Sequence, residues 1–501
     1  MKKYCLFIIA VAAFVITQSS CSKSWLSPSP EDQLTSSDSI YTDNSNATKF
    51  VNACYTNLLT WSESSFAWIG VTSITSDDAD KGSSAGDNGS DKDQMDAITY
   101  TPTSGSVSDV WSGNYQGVSN CNQALANIPK FTTLDAATAV QLKGEARFLR
   151  AYYYFNLVRM FGNIPLVDTV IDANDAASLE KANTQVASSK IYALIESDLN
   201  YAISALPTRD EQAAKDVGRA TKGAAIGLLA KVSLYEKNYQ QAYDLTSEIL
   251  SGAAGSYALV SDYSTIWREI GENSAESLFE VQGKTGSPNA GVQQYSAVQG
   301  IRGGTFAGVT DAYSGWGFNT PSEDLDNAYE TGDVRKKATI IHVGDTLFDG
   351  VILVSAVNDR YNYKAYVSET QESYNGDGDL TNKNVRILRM GEIYLIHAEA
   401  ANELSNITVA QTSLNAVRTR AGLANTTAAD QSALRTAIWN ERRVELGMEH
   451  DRFFDLVRQG RAGIVLRAQG KNFVDGKNEV FPIPQSEIDA SGKKLVQNAG
   501  Y

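Results

Sequence analysis

The spacing of apolar residues predicts helices along most of this chain. Apolar positions recur at steps of three and four over residues 48–59, 110–128 and 139–161, which is the period of one helix face. In the third segment one apolar stripe contains Leu142, Ala146, Leu149, Tyr153, Leu157 and Met160, and a second contains Phe148, Tyr152 and Phe155. A helix that is apolar on two sides packs on two sides. We therefore expect residues 139–161 to form an interface between neighbouring helices, ending at Gly162 and Pro165.

Helical hairpins are predicted further along the chain. Residues 218–250 combine small residues, which allow close helix contact, with a second amphipathic segment, and they resemble a tetratricopeptide hairpin. Further hairpins are expected at 386–404 with 410–423, and at 433–460. These hairpins are scattered and not tandem. The pattern thus predicts a mostly α-helical fold, with hairpins in a superhelical scaffold interrupted by long insertions.

Two stretches lack a helical period. Residues 252–384 are rich in Gly, Ser, Tyr and Asn, and a loop-rich insertion of this length is uncommon unless it is functional. Residues 21–39 are rich in Ser and Pro and read as an extended tether. The chain is accordingly divided into a signal segment 1–20, a tether 21–39, an N-terminal helical region 40–250 and a C-terminal region 251–501 that contains the insertion.

The N-terminus has the layout of a secretory signal. Lys2 and Lys3 precede an apolar run over residues 4–16, which is shorter than the roughly 20 residues of a membrane span. Small residues then lead to Cys21, the arrangement of a bacterial lipoprotein whose cysteine sulfur is acylated. Gln18 departs from that pattern, because lipoprotein signals usually carry an apolar residue there. The alternative is an ordinary signal peptide cut near Ser20, which leaves a free thiol.

Composition narrows the class of ligand. The 501 residues carry a formal net charge of −15, with a pI near 4.8. An acidic surface repels phosphate backbones, so we expect no nucleic-acid partner. Two cysteines remain in the body of the chain, Cys54 and Cys121. They form either one disulfide or two small buried side chains.

Few residues suggest catalysis. The three histidines are His342, His397 and His450, and the sequence contains no HExxH motif, no P-loop and no CxxC pair. His397 lies among apolar neighbours, and His450 has acidic neighbours but no accompanying nucleophile motif. We therefore expect a protein without catalytic residues.

Three charged segments are candidate sites. Asp77, Asp78 and Asp80 are close in sequence, but adjacency does not establish the gap that a glycosidase pair requires. The run Glu441-Arg442-Arg443-Val444-Glu445 predicts surface or inter-helix ion pairs, with a partner contact as the alternative. Residues 375–386 begin like a calcium loop but have Leu380 and Arg386 where glycine and glutamate belong. We expect no metal or cofactor, with a structural calcium ion at this loop as a weak alternative.

Several long motifs, taken together, resemble a known family. They are SITSDDAD (73–80), KGEARFLRAYYYFNLVRMFGNIPLV (143–167), RATKGAAIGLLAKVSLY (219–235), GWGFNTPSEDLDNAYETGDVR (315–335), VRILRMGEIYLIHAEAANEL (385–404) and NERRVELGMEHDRFFDLVRQGR (440–461). Similar stretches follow at 414–423 and 481–501. The chain is identified by these motifs as resembling the SusD/RagB family of Bacteroidetes nutrient-binding lipoproteins. The resemblance covers essentially the whole mature chain.

The resemblance implies a fold and a role. It implies about four tetratricopeptide-like hairpins on one side and a loop-rich region on the other. It further implies a lipid-anchored protein on the outer membrane that captures oligosaccharides at the cell surface. A SusC-type TonB-dependent transporter would be the partner, and the protein would not be an enzyme. The rival functions are binding of peptides or another nutrient on the same fold, and a secreted glycoside hydrolase.

Sugar binding needs exposed aromatic rings, because the apolar face of a sugar stacks on a flat ring. The candidates are Trp68, before an acidic loop, and Tyr295, Tyr313 and Trp316 in the glycine-rich insertion. Each could instead be a packed aromatic residue, and Trp316 also lies in a motif shared with the family. The family resemblance does not identify individual sugar-binding residues in this chain.

Overall fold

The computed structural model describes residues 39–87, 89–283, 291–309, 315–373 and 381–501. The helices of the N-terminal half are α1 (Ser45–Leu58), α2 (Trp61–Ser64), α3 (Phe66–Ile69), α4 (Gly89–Ala97), α5 (Gly105–Asn127), α6 (Ala136–Phe161), α7 (Ala176–Asn183), α8 (Ser188–Ala205), α9 (Lys222–Tyr235) and α10 (Tyr239–Leu250). Later helices are α11 (Gly291–Gln299), α12 (Glu323–Ala328), α13 (Met390–Glu403), α14 (Ile407–Arg420), α15 (Gln431–Glu445), α16 (Arg452–Arg458), α17 (Ala462–Ala468) and α18 (Gln485–Ala490). The fold is mostly helical, as the periodicity predicts.

Helix α6 packs on two sides, which confirms the expectation from its two apolar stripes. It begins at an Asp135 carboxylate that accepts from the Thr138 amide, and it ends at Gly162, whose φ is +71°. Tyr153 is fully buried and donates to the Cys54 carbonyl on α1, at 2.7 Å. Tyr154 donates to the Val167 carbonyl at 2.9 Å. The tyrosines thus fill helix interfaces while their hydroxyls find backbone acceptors.

Two of the three predicted hairpins form, at 218–250 and at 386–404 with 410–423. The third is wrong, because α15 and the short α16 within 433–460 do not form a closely packed pair. Helices α9 and α10 pack together, and α10 contacts α13, which pairs in turn with α14 and α15. His397 on α13 stacks on the Tyr243 ring of α10, with ring centroids 4.7 Å apart, and hydrogen-bonds Ser413 of α14 at 2.7 Å. Burial lowers the pKa of His397 to about 4. It is a neutral interface histidine at pH 7.

Short antiparallel strand pairs hold the loop-rich part of the chain together. The strands are β1 (Ala79–Gly82), β2 (Ile164–Pro165), β3 (Gln185–Val186), β4 (Ser277–Val281), β5 (Thr305–Ala307), β6 (Phe318–Pro321), β7 (Ile340–His342), β8 (Ile352–Ser355), β9 (Arg360–Asn362) and β10 (Val385–Arg389). The pairs are β1–β6, β2–β3, β4–β10, β5–β8 and β7–β9. The β1–β6 pair joins the insertion to the early acidic stretch, with Asp80 opposite Thr320.

One main core joins both halves of the chain. It combines Val51, Tyr153 and Leu229 with Ile393 and Phe453, and so crosses the boundary expected between residues 250 and 251. A second core lies within the insertion and includes Tyr263, Trp267, Leu353 and Tyr361. The signal segment and the tether, with Cys21, lie outside the described residues. The expected domain boundaries therefore stay predictions.

The structure also bears on the two cysteines of the body of the chain and on membrane-spanning helices. Cys54 and Cys121 are both buried free thiols in this structure. Within the part of the chain that the structure describes, no helix combines the length and apolar character needed to cross a bilayer.

Candidate functional site

Two half-buried tryptophans lie side by side where α2 meets the insertion. Trp61 begins α2, and Trp316 precedes β6; their ring centroids are 6.0 Å apart and their planes are tilted by 43°. Phe66 supports both rings edge-on from the core, at 5.8 Å from Trp61 and 6.1 Å from Trp316. We call Trp61 and Trp316 the tryptophan pair. Each of the two rings keeps part of its apolar surface exposed.

The Gly-Trp-Gly motif explains how Trp316 is held. The Trp316 amide donates to the Ala297 carbonyl of α11 at 2.8 Å. A Cβ on Gly315 would lie 2.3 Å from the Gly300 Cα, so only glycine allows this approach. Gly317 has a φ of +77°, which also favours glycine. The two glycines therefore allow the backbone conformation that positions the Trp316 ring.

Polar groups surround the tryptophan pair. Arg302 donates to the Trp316 carbonyl at 3.3 Å and forms an ion pair with Asp87 at 2.7 Å. Both of these side chains are about one-third exposed, at 33% each. Asn358 is half-buried nearby and donates to the Gly317 carbonyl at 3.5 Å. A guanidinium, a carboxylate and an amide beside flat rings can bind the hydroxyls of a neutral polar ligand.

The expected exposure of Trp68 and Tyr295 is wrong. Trp68 is 4% exposed and lines a small internal cavity of about 40 Å³ with Tyr152. Tyr295 is 7% exposed, and its hydroxyl hydrogen-bonds the Nε2 of His450 at 3.1 Å. Both rings lie in apolar helical segments that pack inward, so neither offers a free face. Whether either contributes to binding stays untested.

Tyr313 and Trp316 are the two remaining candidates for stacking on a sugar. Tyr313 lies outside the described residues. Trp316 is half-exposed, as a binding aromatic requires, but its contact with a ligand stays a prediction. Sequence reasoning missed its neighbour Trp61, which lies beyond the apolar stripe that ends at Leu58. The signal that could have identified Trp61 is its position after the end of α1, outside the core-facing stripe of that helix.

A buried carboxyl group follows Trp61 by two positions in the same short helix. Glu63 on α2 is 4% exposed, and neither of its carboxylate oxygens has a hydrogen-bond partner among the described residues. Its Oε1 would be 2.6 Å from a Cβ placed on Gly113 of α5, so the two helices cross closely here. Burial raises the pKa of Glu63 well above its ordinary value. Burial therefore favours the neutral form of this side chain.

The acidic stretch before β1 is part of the scaffold. Asp77 accepts two hydrogen bonds from Arg452, both at 2.8 Å, and Asp78 accepts from Arg443 at 2.7 Å. Asp80 is exposed. Two of the three carboxylates thus tie α15 and α16 to the loop-rich part of the chain.

The charged run 441–445 likewise forms ion pairs, and they are buried. Glu441 pairs with Arg335 at 2.6 Å, and Arg442 pairs with Glu392 of α13 at 2.6 Å. Glu445 has three arginine partners, namely Arg335, Arg389 and Arg420. The expectation of inter-helix ion pairs is confirmed, with burial in place of surface exposure.

Among the described histidines, His397 contacts the serine hydroxyls of Ser413 and Ser247, and this contact lies within the interface of α10, α13 and α14. His342 hydrogen-bonds Asp326 at 3.0 Å, and the bonds of His397 and His450 are given above. Residues 82–86, Gly-Ser-Ser-Ala-Gly, do contain the letters of a GxSxG nucleophile motif. Ser84 lies there, and its amide donates to Asp87, but none of the histidine bonds reaches it.

The expectation of no metal or cofactor, with a structural calcium ion as the weak alternative, stays a prediction. No cluster of three or more His, Cys, Asp or Glu side chains in the described residues is arranged to hold a metal ion. The calcium-like loop begins at Asn375, Asp377 and Asp379, which lie outside the described residues.

The comparisons with known proteins define the class. Residues 25–234 match a family described as starch-binding and associating with the outer membrane, and residues 352–501 match the SusD family. A solved laminarin-binding SusD-like protein is 30% identical, with a TM-score of 0.78 over 91% of this chain and 99% of that one. The chain belongs to the SusD family.

Further relatives support the same placement. SusD-like protein P2 of Formosa agariphila is 26% identical over 435 residues, which are 81% of this chain and 83% of that protein. Surface glycan-binding protein A of Bacteroides thetaiotaomicron, solved with laminarihexaose, is 25% identical, with a TM-score of 0.76 over 91% of this chain and 99% of its own. The full-length likeness confirms a helical, tetratricopeptide-like SusD fold.

Proposed function

We propose that this chain is a cell-surface glycan-binding protein that captures oligosaccharides at the tryptophan pair. The observation that carries this proposal is the placement of Trp61 and Trp316, half-exposed, supported from behind and flanked by Arg302, Asp87 and Asn358. Sugar rings stack on such surfaces through their C–H face while their hydroxyls bond to the flanking polar groups. Relatives that bind laminarin and laminarihexaose support this class of ligand.

Calorimetric titration tests the proposal directly. The purified chain from residue 22 is titrated with a panel of neutral polysaccharides that includes laminarin, beside a Trp61→Ala/Trp316→Ala double variant. Loss of two stacking surfaces should weaken binding about tenfold or more. A Trp439→Phe variant is the control. Trp439 lies on α15, donates a hydrogen bond to Glu399 and is not part of the tryptophan pair, so glycan binding should be unchanged.

Each outcome of this titration is informative. Binding that disappears in a folded double variant supports glycan capture at this place. Unchanged binding in the double variant refutes the site. If no glycan binds the parent chain, the proposal fails, and peptide or another nutrient becomes the ligand to test.

The non-enzymatic role is part of the same proposal. The described histidines hydrogen-bond scaffold groups, and Asp77 and Asp78 are occupied by arginines, which supports binding without turnover. Incubation of the chain with each bound polysaccharide should release no reducing ends. Any sustained release that a Glu63→Gln or Asp80→Asn variant abolishes would establish a hydrolase instead.

The location and partner are also proposed. We expect acylation of Cys21 after removal of residues 1–20, anchorage in the outer membrane facing outward, and delivery of sugar to a SusC-type TonB-dependent transporter. The family description of association with the outer membrane supports this. Mass spectrometry of the native chain should find acyl chains on Cys21, and a Cys21→Ala variant should be released in soluble form. Cross-linking in intact cells should recover the transporter; recovery of the native chain without it would contradict the partnership.

A further inference from the structure

A second aromatic surface lies in the same insertion. Phe348 is 38% exposed and lines an open cavity of about 470 Å³. The buried side chains of Ile340, Ile341 and Tyr363 also line this cavity. A cavity of this size is in the range of roughly 300–1,000 Å³ that small-ligand sites occupy.

The turn that carries Phe348 is firmly built. The Gly350 amide donates to the Leu347 carbonyl at 3.0 Å, which closes a tight turn with Phe348 near its tip. Asp349 in that turn accepts from the Tyr366 hydroxyl at 2.8 Å. Leu347 and Tyr366 belong to the core of the insertion. The turn therefore presents an apolar ring to the cavity at a position where a polar residue is usual.

Phe348 itself is held by its neighbours. The guanidinium of Arg268 lies 4.7 Å from the Phe348 centroid and 4.6 Å from that of Tyr363. Arg268 is 5% exposed and donates to the carbonyls of Tyr363 and Tyr366. The ring of Tyr366 contacts Phe348 edge-on at 6.1 Å. The orientation of Phe348 is thus set before any ligand arrives.

The polar lining of the cavity carries both signs of charge. Asp262 and Asp345 contribute carboxylates, and Lys337 contributes an ammonium group. The Oδ1 of Asp262 accepts from Ser264, and the Oδ2 of Asp345 accepts from the His342 amide, so each carboxylate has acceptor capacity left over. This mixture suits hydroxyl groups better than a ligand of one charge, and the acidic chain disfavours anions.

A short segment of the chain connects the surroundings of the tryptophan pair to the cavity beside Phe348. Asn358 flanks the tryptophan pair and Tyr363 lines the second cavity. These residues are five positions apart, so their Cα atoms are at most about 18 Å apart. The tryptophan pair and the second cavity thus border neighbouring parts of the insertion.

We propose that the cavity beside Phe348 is a second glycan subsite, which binds a further neutral sugar unit of the chain held at the tryptophan pair. This inference rests on the proposed function. Binding at two linked places raises the affinity for long chains and leaves the affinity for short ones unchanged.

A chain-length series tests the second subsite. The parent chain and a Phe348→Leu variant, which keeps an apolar side chain but lacks the ring, are titrated with oligosaccharides of increasing length and with the polysaccharide. The variant should bind the polysaccharide about three- to tenfold more weakly, with no change for the shortest bound oligosaccharide. Phe348→Tyr, which keeps the ring, should retain the affinity of the parent.

The controls separate this inference from the function on which it rests. Leu179→Ala on α7 removes another exposed apolar side chain, 38% exposed, and should change neither affinity. Equal weakening for short and long chains would show that Phe348 acts through the fold, and no weakening would remove the subsite; both results overturn the inference alone. Absence of glycan binding by the parent chain overturns the inference together with the proposed function.

Discussion

Glu63 shows how a single residue can couple the site to its support. The side chain follows Trp61 by two positions, yet it points into a buried space beside α5 where it has no hydrogen-bond partner in the described residues. A neutral carboxyl group tolerates such a space far better than a charged one. The stability of the folded chain should therefore depend on pH.

The pH dependence has a defined sign. Glu63 has an ordinary pKa of 4.5, which burial raises well above that value in the folded state. Below the ordinary pKa both folded and unfolded chains hold the proton, and no stability is lost. As pH rises from there through the raised pKa, the unfolded chain ionises first and the free energy of unfolding falls.

Glu63→Gln removes this ionisation and keeps the side-chain shape. The melting temperature of the variant relative to the parent should increase from about pH 4 to about pH 8. Differential scanning calorimetry across this range measures it. Glu323→Gln on α12 is the control, because this side chain is exposed and should show no such trend. A difference that stays constant with pH would contradict the assignment.

At the scale of elements, α11 links the scaffold to the tryptophan pair. Its Tyr295 bonds to His450, its Gln299 accepts from Asn319 at 2.7 Å and Asn362 at 2.8 Å, and its last turn receives the Trp316 amide. His450 has a φ of +71°, and burial lowers its pKa to about 4. A strained, neutral histidine thus anchors the helix that positions Trp316.

Tyr295→Phe tests this anchoring role. Removing the hydroxyl leaves the His450 Nε2 without this partner, which should lower the free energy of unfolding by about 1–3 kcal/mol. Glycan affinity should fall as α11 loosens, although Tyr295 is too buried to offer a free ring face. Hydrogen exchange over residues 294–299 and calorimetric titration measure the two effects. Tyr201→Phe is the control, since it keeps a ring beneath Arg147; equal exchange in parent and variant would refute the coupling.

Across the whole molecule, buried ion pairs connect elements that are distant in sequence. Arg389 precedes α13 and is 2% exposed; it pairs with Glu276 at 3.1 Å, Glu445 at 2.5 Å and Glu449 at 2.7 Å. These partners come from the segment before β4, from the end of α15 and from the turn that follows α15. Such networks select one packing of helices and loops because an unpaired buried charge is costly.

Arg389→Met should destabilise the whole fold. The variant leaves carboxylates at 0–10% side-chain exposure with fewer positive partners, so the free energy of unfolding should fall by about 3–5 kcal/mol. Urea unfolding measures this change. Arg467→Met is the matched control, because its pair with Asp475 is exposed at 45% and 65% and should contribute less than about 1 kcal/mol. A similar loss in both variants would contradict the role of burial.

Much of the scaffold could be predicted from local patterns. The two stripes of α6, the glycine after Phe161 and the small residues of α9 all act within a few turns of their own helix, so the sequence reveals them. The same reasoning failed at Trp68 and Tyr295, because ring exposure depends on distant segments that cover a residue. It passed over Trp61, whose partner Trp316 is 255 positions away.

The sequence by itself determined the helical scaffold and the family resemblance, because periodicity, caps and motifs are properties of neighbouring residues. Only the tertiary structure decided that Trp61 meets Trp316, that α11 is anchored through His450, and that Phe348 lines a separate cavity. These contacts join segments that are far apart in the chain. Their geometry results from the packing of the whole core, and local sequence patterns do not encode it.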